Sequence, residues 1–220
     1  METHSPIPFV DIQTHRQYIG DAIDEAIAQV MTHGKYIMGP EIQELETTLS
    51  DRVEGRNVIT CANGTDALHL CLRAFDVNKN DAIFVPAFTF AAAAEAICLA
   101  GGTPVFVDID PKTSNISPES LEDSIKMILK DRSLKPTGIL SVDLFGQPAA
   151  YPILETISDR YNLWILEDAA QALGANLNKK PCGAYGLAGT TSFFPAKPLG
   201  CLLYTSPSPR DQRGSGVGGG

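Results

Sequence analysis

Long apolar runs are missing from this sequence. Nowhere do about 18 apolar residues follow one another, and the opening Met1-Glu2-Thr3-His4-Ser5-Pro6 has neither a basic stretch nor an apolar core. The expectation is a cytoplasmic protein with no membrane partner. Positive charge is also in short supply: 17 Lys and Arg face 26 Asp and Glu, a net charge of −9 over 220 residues. A broad basic surface is thereby excluded and nucleic acid is not expected as a partner, although backbone amides can still form a local anion site. Cysteine is sparse: Cys61, Cys71, Cys98, Cys182 and Cys201 make an odd number with no C-x-x-C pair. Three of them sit among apolar residues, which reads as buried free thiols in a reducing compartment, with neither disulfides nor a metal site.

What is present is an ordinary globular composition, 44 % hydrophobic and 20 % charged. The last residues stand apart. From Leu202 the chain reads LLYTSPSPRDQRGSGVGGG, and five of the 19 glycines fall in the last seven positions. A Gly/Ser linker that leads to no further domain resembles translated cloning or adapter sequence, so residues 202–220 are expected to be a non-native tail and the native message to stop near Cys201.

Before that point, β-rich runs alternate with helical patterns. Ile19, Ala22, Ile23, Ala26, Ile27 and Val30 recur at helix spacing up to His33-Gly34, and a second helix is predicted from Glu41 to Arg52. Strands are predicted at 58–61, 82–85, 104–107, 138–142 and 163–166, with helices near 65–75, 89–100, 118–130 and 150–161. Such alternation predicts an α/β fold, a mainly parallel sheet covered by helices on both faces. Ligands in these sheets bind where strand carboxyl ends meet helix amino ends.

Four junctions of that kind carry chemistry. Cys61-Ala62-Asn63-Gly64-Thr65-Asp66 leaves a strand for a helix: Gly64 admits close backbone approach, and Thr65 and the free amides suit a phosphate, although a plain helix cap reads the same way. It has neither G-x-x-x-x-G-K-[ST] nor G-x-G-x-x-G, the marks of a P-loop or a dinucleotide site. Phe88 and Phe90 follow the next strand, where an aromatic either stacks on a planar ring or packs the core. Glu167-Asp168 ends an otherwise apolar strand, as a carboxylate for a cationic ligand group or as a helix cap. Lys197 lies in an uncharged stretch between Pro195 and Pro198; desolvation there favours the neutral amine of Schiff-base chemistry, and a snorkelling surface lysine is the alternative. Together with Ser192, an anion site, an aromatic plate, an acid and an amine in this order match what pyridoxal 5′-phosphate requires.

Eight blocks in order strongly resemble the DegT/DnrJ/EryC1/StrS family of sugar aminotransferases across residues 8 to about 201. They are Phe9-Val10-Asp11-Ile12, Gly34-Lys35-Tyr36-Ile37-Met38-Gly39-Pro40-Glu41, Asn63-Gly64-Thr65-Asp66-Ala67-Leu68, Pro86-Ala87-Phe88-Thr89-Phe90, Pro104-Val105-Phe106-Val107-Asp108-Ile109-Asp110, Leu144-Phe145-Gly146-Gln147, Glu167-Asp168-Ala169-Ala170-Gln171 and Ser192-Phe193-Phe194-Pro195-Ala196-Lys197. The resemblance implies a fold-type-I, aspartate-aminotransferase-like large domain, a three-layer α/β/α structure over residues 1–201, left incomplete and without the small C-terminal domain. It implies pyridoxal 5′-phosphate as cofactor, held by Lys197 as a Schiff base, by Gly64, Thr65 and Ser192 at the phosphate, by Asp168 at the pyridine nitrogen, by Phe90 on the ring and by Gln171 near the ring oxygen. The run from Thr191 to Cys201 most resembles members that aminate a UDP-linked 2-acetamido-3-keto-hexuronic acid for lipopolysaccharide sugars. L-glutamate is then the amino donor, a homodimer the expected assembly and ping-pong kinetics the expected signature.

The sequence departs from the family after Gly200, where a Tyr-Gly-Asp-Gly-Gly-like turn and the small domain are expected, and at Asp143, where many members have His. The chain as written is expected to be inactive. Members that dehydrate sugars replace the lysine with His, and Lys197 speaks against that branch. A catalytically idle relative that binds a sugar or a regulatory partner is the remaining alternative.

Overall fold

The computed structural model describes residues 10–200; the expected tail at 202–220 lies outside the described residues. The chain divides into two compact units, one of residues 35–192 and one that combines the chain up to Gly34 with the stretch from Phe193 onward.

In the smaller unit the apolar stripe predicted through Ile19 forms two helices, α1 (Ile12–Ile19) and α2 (Ala22–His33). Asp11 caps α1 by accepting the Thr14 N–H at 2.9 Å, and Gly20, at φ 63°, breaks the run where a side chain would be strained. Neither helix buries a residue fully, so the stripe's apolar face is not part of a core among the described residues.

The larger unit is built around five parallel strands in the order β2-β1-β3-β4-β7: β1 (Asp81–Pro86), β2 (Thr103–Val107), β3 (Lys135–Val142), β4 (Trp164–Asp168) and β7 (Ala188–Thr190). Between β4 and β7 a two-residue hairpin pairs β5 (Asn176–Leu177) with β6 (Lys180–Pro181). Side chains alternate across the sheet, as the period of two demands. Ala82, Phe84, Ile139 and Ile165 face α6 (Pro118–Asp131) and α7 (Tyr151–Tyr161), while Ile83, Val85, Leu140 and Leu166 face α4 (Gly64–Ala74) and α5 (Ala92–Ala100). Helices therefore cover both faces, the α/β/α arrangement expected. α6 shows the local logic: Ser117 accepts the Ser120 N–H at 3.2 Å, Pro118 opens the helix, and Leu121, Ile125 and Ile128 recur on its buried face. α3 (Pro40–Arg52) matches the helix predicted over 41–52 and starts one residue earlier, with Pro40 in its first turn.

Two expectations fail. Val58–Cys61 is no strand: Ile59 is exposed, and the Thr60 N–H and hydroxyl both donate to Glu46 Oε1, at 2.8 and 2.9 Å, instead of to a neighbouring strand. Its β-branched residues have the propensity but no sheet edge beside them. Nor are the thiols generally buried. Cys61 and Cys98 are exposed, Cys71 is half-buried and Cys182 alone is buried among the described residues. β7, three residues with a central glycine, carried too little pattern to be read from the sequence.

Candidate active site

β1 lies between β2 and β3, so the connections leaving the carboxyl ends of β1 and β3 run to opposite sides and open a crevice between them. A cleft of about 220 Å³ sits there, lined by Phe88, Thr89, Phe90, Leu144, Phe145 and Gln171. The aromatics are not core packing. β1 is buried through Pro86, after which the Ala87 N–H donates to Val107 O and the chain rises out of the sheet, leaving Phe88 and Phe90 52 % and 72 % exposed. Phe145, 74 % exposed, meets Phe88 edge to face at 6.4 Å. Phe90, expected as the plate, thus lines an apolar cleft with room for a planar group.

The opposite wall is a strained turn. Phe145 adopts a left-handed conformation (φ 57°, ψ 20°) and Gly146 follows at φ 85°. Such a conformation is costly for a bulky side chain and persists only where neighbours enforce it. Here Asn115, 3 % exposed, accepts the Leu144 N–H at 3.2 Å and donates to Gln147 O at 2.9 Å, bridging both ends of the turn. Gln171 Oε1 accepts the Phe145 N–H at 2.6 Å. Sequence reading singled out neither Phe145 nor Asn115; Phe145-Gly146 stood in a family block, but nothing signalled its backbone.

At the amino end of α4, Asn63 accepts the Asp66 N–H at 2.8 Å, and its amide donates to the Asp66 carboxylate at 3.0 Å. The cap reading of this junction therefore holds, and it leaves the first amides of the helix, at Gly64 and Thr65, with no intrahelical acceptor. Ser192, two residues past β7, lies against Gly64: a β-carbon on residue 64 would come within 3.0 Å of Ser192 Cβ and 3.3 Å of its Oγ. Gly64, Thr65 and Ser192 are thus gathered at one helix amino end, with a glycine where side-chain bulk would close the space, an arrangement that fits a phosphate.

Asp168 and Glu167 end β4 on opposite faces. Asp168 follows Leu166 toward the α4 side, is half-buried, and accepts the Ala170 N–H at 3.0 Å. Its carbonyl accepts the Asp143 N–H at 3.0 Å, and the next amide, Ala169, donates to Thr190 O at 2.8 Å, so both neighbouring strands fix it. Glu167 follows Ile165 to the other face, fully buried, and accepts the Gly183 and Tyr185 N–H groups at 2.7 Å each. Asp143 takes the Ala149 N–H and the Tyr151 hydroxyl on Oδ1, both at 2.9 Å. Carboxyl oxygens of Asp143 and Glu167 and the Cys182 sulfur lie within 4.8 Å of one another. Burial, reinforced by Asp143, pushes the Glu167 carboxyl up to about 8 and drives the Cys182 thiol up as well. Glu167 and Cys182 therefore hold their protons at neutral pH.

Lys197 belongs to the smaller unit. It is half-buried in a turn in which its N–H donates to Phe194 O and its carbonyl accepts the Gly200 N–H, each at 2.8 Å.

Comparison with known proteins adds the lineage. The chain is 42 % identical over 195 residues to UDP-2-acetamido-2-deoxy-3-oxo-D-glucuronate aminotransferase of Pseudomonas aeruginosa, covering 89 % of this chain and 52 % of that protein. A DegT DnrJ EryC1 StrS aminotransferase from Brucella abortus superposes with a TM-score of 0.87 at 45 % identity, over 89 % of this chain and 52 % of that one. NtdA of Bacillus subtilis, solved with the cofactor PMP bound, superposes at 0.77 and 30 % identity, over 91 % and 44 %. The chain spans about half the length of the relatives it matches. The model of the DegT/DnrJ/EryC1/StrS aminotransferase family matches residues 17–202, and with the parallel sheet, the switch-point cleft and these relatives it places the chain in that family.

Proposed function

We propose that these residues belong to a pyridoxal-phosphate-dependent aminotransferase that transfers the amino group of L-glutamate to a nucleotide-linked keto sugar. The substrate we favour is a UDP-linked 2-acetamido-3-keto-hexuronate on the way to surface polysaccharide or lipopolysaccharide sugars, aminated by a homodimer in the cytoplasm. One observation carries the reading: Gly64 admits Ser192 at the amino end of α4, on the face of the sheet toward which Asp168 projects. The residues proposed for the phosphate and for the pyridine nitrogen thus share a side. The substrate class rests on the likeness to the Pseudomonas aeruginosa enzyme.

Gly64 and Thr65 amides, with the Thr65 and Ser192 hydroxyls, would hold the phosphate. Phe90 would cover the ring, and Asp168 would keep the pyridine nitrogen protonated. Gln171 would meet the ring oxygen. Lys197 would hold the cofactor covalently and carry the proton to and from the substrate carbon. When bound, pyridoxal phosphate supplies the electron sink that stabilises negative charge on that carbon.

Incubating the chain with pyridoxal phosphate, reducing with borohydride and mapping peptides by mass tests this reading. The expected product is one phosphopyridoxyl group on Lys197, absent in Lys197→Ala. A folded chain that takes no label, or takes it at random among its lysines, overturns the proposal.

A further inference from the structure

Gln171 offers a cofactor two different faces, an acceptor oxygen and a donor amide, and the sequence does not say which. The structure does. Gln171 Oε1 accepts the Phe145 N–H at 2.6 Å, while the Nε2 amide has no partner among the described residues, so the donor is the group most open to a ligand. That assignment depends on where Phe145 N–H points, and therefore on a left-handed backbone that a phenylalanine does not adopt unaided.

The turn is held from outside the cleft. Asn115 sits in the connection between β2 and α6, where Ile109 and Ile116 form an antiparallel bridge and the Asp110 N–H donates to Asn115 O at 2.9 Å. Its backbone is thus fixed before its side chain reaches across. The side-chain oxygen accepts from Leu144, the residue before Phe145, and the side-chain amide donates to Gln147, two residues after it. Only a group with one donor and one acceptor at this spacing serves both ends, which aspartate and leucine cannot do. The bond to Leu144 is buried and the one to Gln147 partly so, where an unmade bond costs most. On the other flank, a β-carbon on Gly146 would come within 3.2 Å of Gln171 O, so the turn and the Gln171 backbone are in contact as well.

We infer that Asn115 is a positioning residue for the cofactor site: by pinning the Leu144–Gln147 turn it orients Phe145 N–H, which in turn fixes Gln171 with its amide donor toward the ring oxygen of a pyridoxal ligand. The inference rests on the proposed function for the identity of the ligand but not for the turn itself.

Two measurements test it. In the unliganded chain labelled with nitrogen-15, Asn115→Ala and Asn115→Asp are expected to speed deuterium exchange at the Phe145 N–H by roughly tenfold or more, with amides of β1 and β3 unchanged. The Gln171 side-chain amide signals should move with it. In the chain loaded with pyridoxal phosphate, Asn115→Ala is expected to shift the visible absorption band and its pH midpoint in the same direction as Gln171→Leu, and the double variant to add nothing further. Unchanged exchange at Phe145, or shifts in the double variant equal to the sum of the singles, overturns the inference. If no protein takes up pyridoxal phosphate, the functional reading fails while the exchange result still decides whether Asn115 governs Gln171.

Discussion

Ser192 Cβ stands so close to Gly64 that a single added methyl on residue 64 would meet it at 3.0 Å. The contact ties the start of α4 to the end of β7, two segments separated by most of the larger unit. Gly64→Ala is therefore expected to weaken pyridoxal phosphate binding by about tenfold or more, through displacement of the Ser192 hydroxyl, while costing on the order of 1 kcal/mol of stability. Cofactor titration by absorbance, beside urea unfolding, separates the two effects.

Glu167 links folding to pH. Its carboxyl, held up to about 8 by burial beside Asp143, is protonated in the folded chain at pH values where the unfolded chain has lost that proton. Between about pH 4.5 and 8 the folded state binds more protons, so this group's contribution to stability falls as pH rises, by up to a few kcal/mol. Glu167→Gln should remove the slope. Urea unfolding at pH 6 and pH 8.5 checks it: the variant must gain on the parent at the higher pH.

The pair Gly138 and Trp164 faces across β3 and β4 in register, and a β-carbon at 138 would penetrate the indole at 2.4 Å. Gly138→Ala should thus destabilise by about 1–3 kcal/mol, since neither the sheet nor the ring, packed 4.9 Å from Phe75, has room to move. Thermal unfolding measures the drop.

Phe145 should behave in the reverse sense. Asparagine tolerates the left-handed conformation, so Phe145→Asn is expected to raise stability by about 0.5–1 kcal/mol while removing an exposed wall of the cleft. Loss of cofactor affinity with a gain in unfolding midpoint is the expected combination, and a loss of both would mean that the turn is not strained.

Much of the sheet was legible because burial on both faces writes continuous apolar runs: 82–85 and 163–166 became β1 and the heart of β4 within a residue or two. Val58–Cys61 has the same composition but no neighbour, and propensity alone does not report a missing partner. Among the candidate residues, Gly64 and Phe90 stood out by residue type at a strand's end, whereas Gln171 came only from the family resemblance. Asn115 did not, because its role comes from a contact with a turn about 30 residues away. The Glu167-Asp168 doublet was legible as acid but not as two acids of opposite destination; only the parity of β4, anchored by Ile165 and Leu166 on their separate cores, divides them.

Trp164 is the single tryptophan of the sequence, and it is clasped between Gly138 of the adjoining strand and the Phe75 ring that follows α4. The protein consequently carries one intrinsic fluorophore at the seam where strand pairing and helix docking meet. Its emission and the assembly of that seam are a single optical event, so every unfolding curve called for above can be recorded on the unlabelled chain, one tryptophan reporting one junction.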